Sequence, residues 1–183
     1  MKFENLFKFL LIDAYANSKT HRGEVIQALS QELKKDGFSV DLIESREQAK
    51  FAIEQDIAYG CILVDFDSQE ENGLSPMEFV DFLKNRGLEV PIFAITERHK
   101  INELNSEILG KLRGAIVPHE DTPEFIAKYV ARAFHEYIKD IKTPFLVAWL
   151  IMLLQVTKCG SLQDIMEACF TAEAQLVAYF LTF

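Results

Sequence analysis

The chain has 183 residues, 49% of them hydrophobic and 26% charged, with a formal net charge of −9 and a pI near 5.0. Such a length suffices for one well-cored domain and an appendage, since domains cluster near about 100–150 residues. The acidic balance excludes nucleic acid and anionic membrane surfaces as partners, because both would repel the chain rather than steer it in.

In chain order, residues 7–13 (FKFLLID) form a short apolar run ending in an acid. Residues 20–35 follow with Val25, Ile26, Leu29 and Leu33 at helical spacing. Together they predict a first βα unit. Gly37 stands where a helix C′ residue would, and residues 38–43 alternate as a strand does. Residues 46–54 predict a short second helix with Ala49, Ile53 and Phe51 turned at least partly inward. Residues 61–66 (CILVDF) are nearly all apolar, as a central parallel strand buried on both faces requires.

An acidic, glycine-containing loop at 67–75 precedes a helix opened by Pro76, whose Phe79, Phe82 and Leu83 face the core. Residues 90–95 predict a fourth strand, 101–109 a charged and weakly apolar helix, and 114–117 a short fifth strand. The last helix of this region has Asp121 as its expected cap and Glu124 at the capping-box position. Its wide apolar stripe is Phe125, Ile126, Tyr129, Val130, Phe134, Tyr137, Ile138 and Ile141, broad enough for both sheet packing and docking of a partner. Five such units define a doubly wound α/β sandwich of three layers around a parallel five-stranded sheet.

At Pro144 the composition changes. Beyond it only Lys158, Asp164, Glu167 and Glu173 carry charge, and residues 145–154 are uninterruptedly apolar. That run falls short of the roughly 20 residues a membrane span needs. It is readable as a buried helix, an interface, or sequence never selected to fold. The expected organisation is a domain over 1–142 and a linker start with a short apolar C-terminal tail over 143–183.

Few residues carry chemistry of their own. Cys61, Cys159 and Cys169 have no spacing suited to a disulfide framework or a zinc site, and Cys61 reads as a buried small hydrophobe. His21, His99, His119 and His135 are scattered without metal-ligand spacing, and the segment after the first strand, Ala14 to Ser18, has no glycine with which to cradle a phosphate. The start, Met1-Lys2-Phe3-Glu4-Asn5, lacks the basic region of a secretory signal, so the expected location is the cytoplasm.

The order of elements resembles the flavodoxin/CheY-like fold of response-regulator receiver domains. Asp13 ends the first strand, Asp65 the third and Thr96 the fourth. The resemblance implies that the two carboxylates would hold Mg²⁺ and accept phosphate while the threonine contacts the phosphoryl group. Two parts of that site are absent: Val117 stands before Pro118 where a receiver has lysine, and Asp13 is followed by Ala14 rather than paired with an acid. The expectation is a degenerate phosphoacceptor site with no catalytic, cofactor-binding or metal-binding residue.

A receiver-like domain without its chemistry, ending in an aromatic helix and then Lys142-Thr143-Pro144-Phe145, resembles the amino-terminal wing domain of the bacterial Orn/Lys/Arg decarboxylases. A shifted reading frame extends the likeness into the tail. Taking the last base of each codon with the first two of the next, residues 162–168 can encode Pro-Gly-His-Asn-Gly-Gly. The Met166–Glu167 junction forces a glycine. Residues 169–179 can continue to Ser-Pro-Val-Gly at the spacing found in the family, which places a frame slip near Leu146.

The resemblance implies a non-catalytic wing that contacts other decarboxylase subunits or itself, truncated before its pyridoxal-phosphate domain. The cofactor belongs to the intact family and not to this chain. The alternative is a stand-alone receiver-like signalling adaptor whose apolar tail docks a partner.

Overall fold

The computed structural model describes residues 7–55, 59–68, 73–102, 104 and 106–156, with side chains described as far as 141. Two compact units divide the chain, residues 1–137 and 138–183. In the first, β1 (Lys8–Ile12), β2 (Ser39–Ile43), β3 (Tyr59–Asp65), β4 (Ile92–Ile95) and β5 (Gly114–Ile116) form one parallel sheet in the order β2-β1-β3-β4-β5. This is the flavodoxin-like order, with its topological switch between β1 and β3. Ligand crevices of such sheets open at the carboxyl ends of the strands flanking that switch.

The sheet is covered on both faces, and the strand sequences show why. Every residue of β3 is buried, as its continuous apolar run requires. In β1 the period-2 alternation sends Leu10 and Ile12 to one face, where they pack with Ala49 and Ile53 of α2 (Arg46–Gln55) and Phe79, Val80 and Leu83 of α3 (Pro76–Asn85). Phe9 points the other way, with its ring 5.1 Å from that of Phe134 on α6 (Pro123–Val156) and 4.8 Å from Phe38.

Helix ends follow local sequence chemistry. Thr20 caps α1 (His21–Lys35) by accepting the Gly23 amide, and Gly37 closes it at φ 90°. Phe38 N–H bonds Leu33 O at 3.1 Å and Gly37 N–H bonds Lys34 O at 3.0 Å, the paired bonds of a Schellman motif. Gly87, at φ 72°, ends α3 with the same pair of bonds. Ser75 and Glu78 form a reciprocal capping box ahead of Pro76.

Four expectations change. Phe51 is 65% exposed rather than partly inward, because α2 turns only Arg46, Ala49 and Ile53 to the interior. The single helix expected over 101–109 is two short ones, α4 (Arg98–Ile101) and α5 (Ser106–Lys111); neither has a buried residue to hold a longer helix against the sheet. Thr122, not Asp121, caps α6: its hydroxyl accepts the Phe125 amide at 3.3 Å, while Asp121 accepts from Val117 N–H. Finally, the segment expected to begin a linker is helical, since α6 runs through Pro144 to Val156 although proline lacks the N–H that a helix interior uses. Residues 157–183, including most of the expected tail, lie outside the described residues.

Phe134 is fully buried, edge-packed on Phe38 and Phe7 and tilted against Phe9. Phe134→Ala should therefore lower unfolding stability by about 3–5 kcal/mol. Urea denaturation followed by circular dichroism measures this, and a loss well under about 1 kcal/mol would show that the ring is not part of the core.

Candidate functional site: a carboxylate pocket filled by an arginine

The carboxyl ends of β1, β3 and β4 bring Asp13, Asp65 and Thr96 together, each no more than 1% exposed. Asp13 follows β1 directly, and its Oδ1 accepts the Tyr15 amide at 2.8 Å. Asp65 closes β3, and its Oδ1 accepts the Asp67 amide at 2.8 Å and the Ser68 amide at 3.3 Å. Thr96 follows β4 and donates its hydroxyl to Asp67 Oδ1 at 2.8 Å. The three positions singled out from sequence therefore share one pocket.

A fourth residue dominates it. Arg22, the second residue of α1, lays its guanidinium among the carboxylates. Nε and Nη2 donate to Asp13 Oδ2 at 2.9 and 2.8 Å, Nη2 also to Asp65 Oδ1 at 2.6 Å, and Nη1 to Asp67 Oδ2 at 2.6 Å. The Arg22 side chain is 9% exposed and lies over the Tyr15 ring at 5.3 Å. Gly23 makes this placement possible, because a Cβ there would stand 2.3 Å from Ser18 O and 2.5 Å from Tyr15 O. A second cation, Lys100 of α4, approaches Asp67 Oδ1 at 3.2 Å.

A second buried arginine holds the loop that follows β3. From α2, Arg46 donates to Leu74 O at 2.6 Å, Asp65 O at 2.9 Å, Ser68 Oγ at 3.1 Å and Ser68 O at 3.0 Å. Among the described residues, Asp65 Oδ2 is a buried side-chain oxygen that accepts no hydrogen bond.

The electrostatics follow from burial and pairing. Burial pushes the Asp13 carboxyl above its ordinary value despite the opposing pull of Arg22. Burial acts upward on Asp67 too, but the Thr96 hydroxyl, Arg22 and Lys100 together outweigh it and hold Asp67 below its ordinary value. Burial alone would make Arg22 easier to deprotonate, yet the charges of Asp65 and Asp13 reverse that and lock it cationic.

This pocket does not fit receiver chemistry. The carboxylate oxygens that would ligate Mg²⁺ are engaged by a guanidinium, and β5 runs out through Ile116 to Val117 with no lysine to meet a phosphoryl group. Among the described residues, no group of three or more His, Cys, Asp or Glu side chains is arranged to hold a metal ion.

Arg22, Asp67 and Arg46 were not legible as site residues from sequence. One signal existed for Arg22: a cation in the first turn of a helix opposes the helix dipole and calls for a compensating anion. His21 and His119, read as scattered, also meet, with ring centroids 5.3 Å apart. Cys61 is fully buried as expected, and burial pushes its thiol far up.

Sheet order and strand-end residues together define a receiver-like α/β domain. A response regulator receiver domain protein from Clostridium thermocellum shares that fold with a TM-score of 0.57 at 14% identity, covering 75% of this chain and 98% of its own. The chain belongs to the Orn/Lys/Arg decarboxylase N-terminal domain family, which matches residues 21–137. Lysine decarboxylase LdcA of Pseudomonas aeruginosa is 29% identical over 145 residues, covering 76% of this chain and 19% of that protein. The solved lysine decarboxylase A from Pseudomonas aeruginosa superposes with a TM-score of 0.60 at 26% identity over 85% of this chain and 21% of its own. The chain thus spans about a fifth of the length of the decarboxylases it matches.

Asp67 sets a pH dependence. Its folded pKa lies below the unfolded value near 3.8, so the unfolded chain binds more protons in that window; the stabilisation is complete above about pH 5 and is lost progressively as pH falls further. The urea midpoint should drop between about pH 4 and pH 2.5, and Asp67→Asn should flatten that limb. An unchanged acid limb in the variant would remove Asp67 as its source.

Proposed function

We propose that this chain is a non-catalytic wing domain of a basic amino-acid decarboxylase, working by protein contact with other decarboxylase subunits or with its own copies. The observation that carries the reading is the guanidinium in the pocket: family membership supplies the decarboxylase context, and the filled pocket leaves the domain no phosphoacceptor chemistry. What remains is surface. Phe125 and Tyr129 of α6 are 59% and 41% exposed and stack at 6.5 Å with an interplanar angle of 12°. Aromatic side chains placed in this way suit a contact that buries them.

In the intact family the decarboxylase reaction belongs to a following pyridoxal-phosphate domain. The shifted-frame motifs in residues 162–179 support a coding sequence that once continued into that domain and slipped near Leu146. The composition and the absence, among the described residues, of a helix long and apolar enough to cross a membrane support a cytoplasmic location. The expected partners are therefore protein subunits, with neither nucleic acid nor a membrane involved.

The test is light scattering of the full chain, alone and mixed with an intact decarboxylase of the family. Association is expected, and Phe125→Asp with Tyr129→Asp should weaken it by about tenfold or more. A chain that stays monomeric and ignores the decarboxylase would sink the reading. Beryllofluoride with Mg²⁺ separates the signalling-adaptor alternative: a shift of the Asp65 and Thr96 amide resonances would favour the adaptor, and unchanged resonances the wing.

A further inference from the structure

We infer that α4 is a charge-pinned strap at the carboxyl edge of the sheet, fastened on one side by Lys100 and on the other by Arg98. The stronger pin is the pocket's own Asp67. Freed from it, the strap opens while the sheet stays folded.

Topology supplies the geometry. β4 lies between β3 and β5, so a helix that follows β4 has the loop of each neighbour within reach. Arg98 and Lys100 are two positions apart, and residues so spaced point to different sides of a helix. Lys100 Nζ accordingly meets Asp67 Oδ1 at 3.2 Å in the loop after β3, while Arg98 pairs with Glu120 in the turn after β5. Charge therefore draws α4 toward both neighbours at once.

Apolar packing contributes little to its hold. None of the four residues of α4 is buried, and Ile101, its one apolar side chain, is half-buried. Glu97 stands at the N-cap without a side-chain cap bond, and so short a helix has little stability of its own. The two pins are unequal. Arg98 and Glu120 are 70% and 42% exposed, and an exposed pair adds little. Asp67 is 6% exposed, with Oδ1 oriented by the Thr96 hydroxyl at 2.8 Å and Oδ2 held by Arg22 at 2.6 Å. A carboxylate already fixed in place loses no further freedom when Lys100 arrives. The contacts that position Asp67 thus also set the order of α4, which couples the strap to Arg22 on α1. Any group that competes for Lys100 or displaces Asp67 releases it.

The experiment is ¹⁵N relaxation of the full chain at neutral pH, reading backbone order parameters over residues 97–102 and over β3 and β4. The samples are wild type, Lys100→Met, Arg98→Gln, Ile101→Ala, Asp67→Asn and the double variant Lys100→Met with Asp67→Asn. Wild-type α4 should lie near the rigid value of about 0.85, and Lys100→Met should bring it below about 0.6. Arg98→Gln should lower it less, and Ile101→Ala least. Asp67→Asn should match Lys100→Met, with no further loss in the double variant, because one contact can be lost only once. The strands should stay rigid throughout. The inference is overturned by a Lys100→Met helix as ordered as wild type, by a wild-type helix already below about 0.6, by equal loosening in Ile101→Ala, by additive loss in the double variant, or by loosening that spreads into β3. If Asp67→Asn does not fold, Lys100→Met against Ile101→Ala decides alone, since neither side chain is buried.

Discussion

Charge can be sequestered in a small domain only when each charge is answered, and here that requirement is met at one edge of one sheet. Arg22 joins β1, β3 and the loop beyond β3 through Asp13, Asp65 and Asp67, while Arg46 grips the same loop from the opposite helical layer. Replacing either partner of a buried pair costs about 3–5 kcal/mol because it leaves the other unpaired. The placement of Asp67, Ser68 and the first turn of α1 depends on this exchange of hydrogen bonds. It also bears on the switch point of the sheet, where the carboxylate oxygens of Asp13 and Asp65 are engaged by a guanidinium.

The fold was largely legible because its core follows simple periods. Residues 7–13 and 61–66 announced buried parallel strands by apolar continuity, and Gly37 announced a helix end by its freedom to reach φ 90°. Legibility failed where packing overrules pattern. Phe51 looks inward by type but falls on the solvent side of α2, and residues 98–111 carry too little apolar surface to hold one helix together. Of the site, Asp13, Asp65 and Thr96 were readable as strand-end residues. Arg22 was not, because its partners Asp65 and Asp67 lie 43 and 45 residues away and only the sheet brings them near.

The same scaffold occurs in a response regulator receiver domain protein and as one part of a much larger lysine decarboxylase, a reminder that chemistry resides in sites and not in folds. At the strand ends the departures from the receiver pattern are few. A lysine is missing after β5, an acid is missing after Asp13, and an arginine sits near the start of α1. Arg22 engages the carboxylate oxygens of the pocket, while Phe125 and Tyr129 of α6 present an exposed, stacked aromatic pair.

The shortness of α4 has its own meaning. Elements without buried apolar contacts open locally at little cost, whereas a strand such as β3, enclosed on both faces, releases its amide protons only when the whole domain unfolds. Lys100 rides on α4 and Arg22 on the long, well-capped α1. One counter-charge of the pocket thus sits on a fifteen-residue helix with seven buried residues and the other on a four-residue helix with none, so local opening of α4 would change the electrostatic potential at Asp67 without unfolding the sheet.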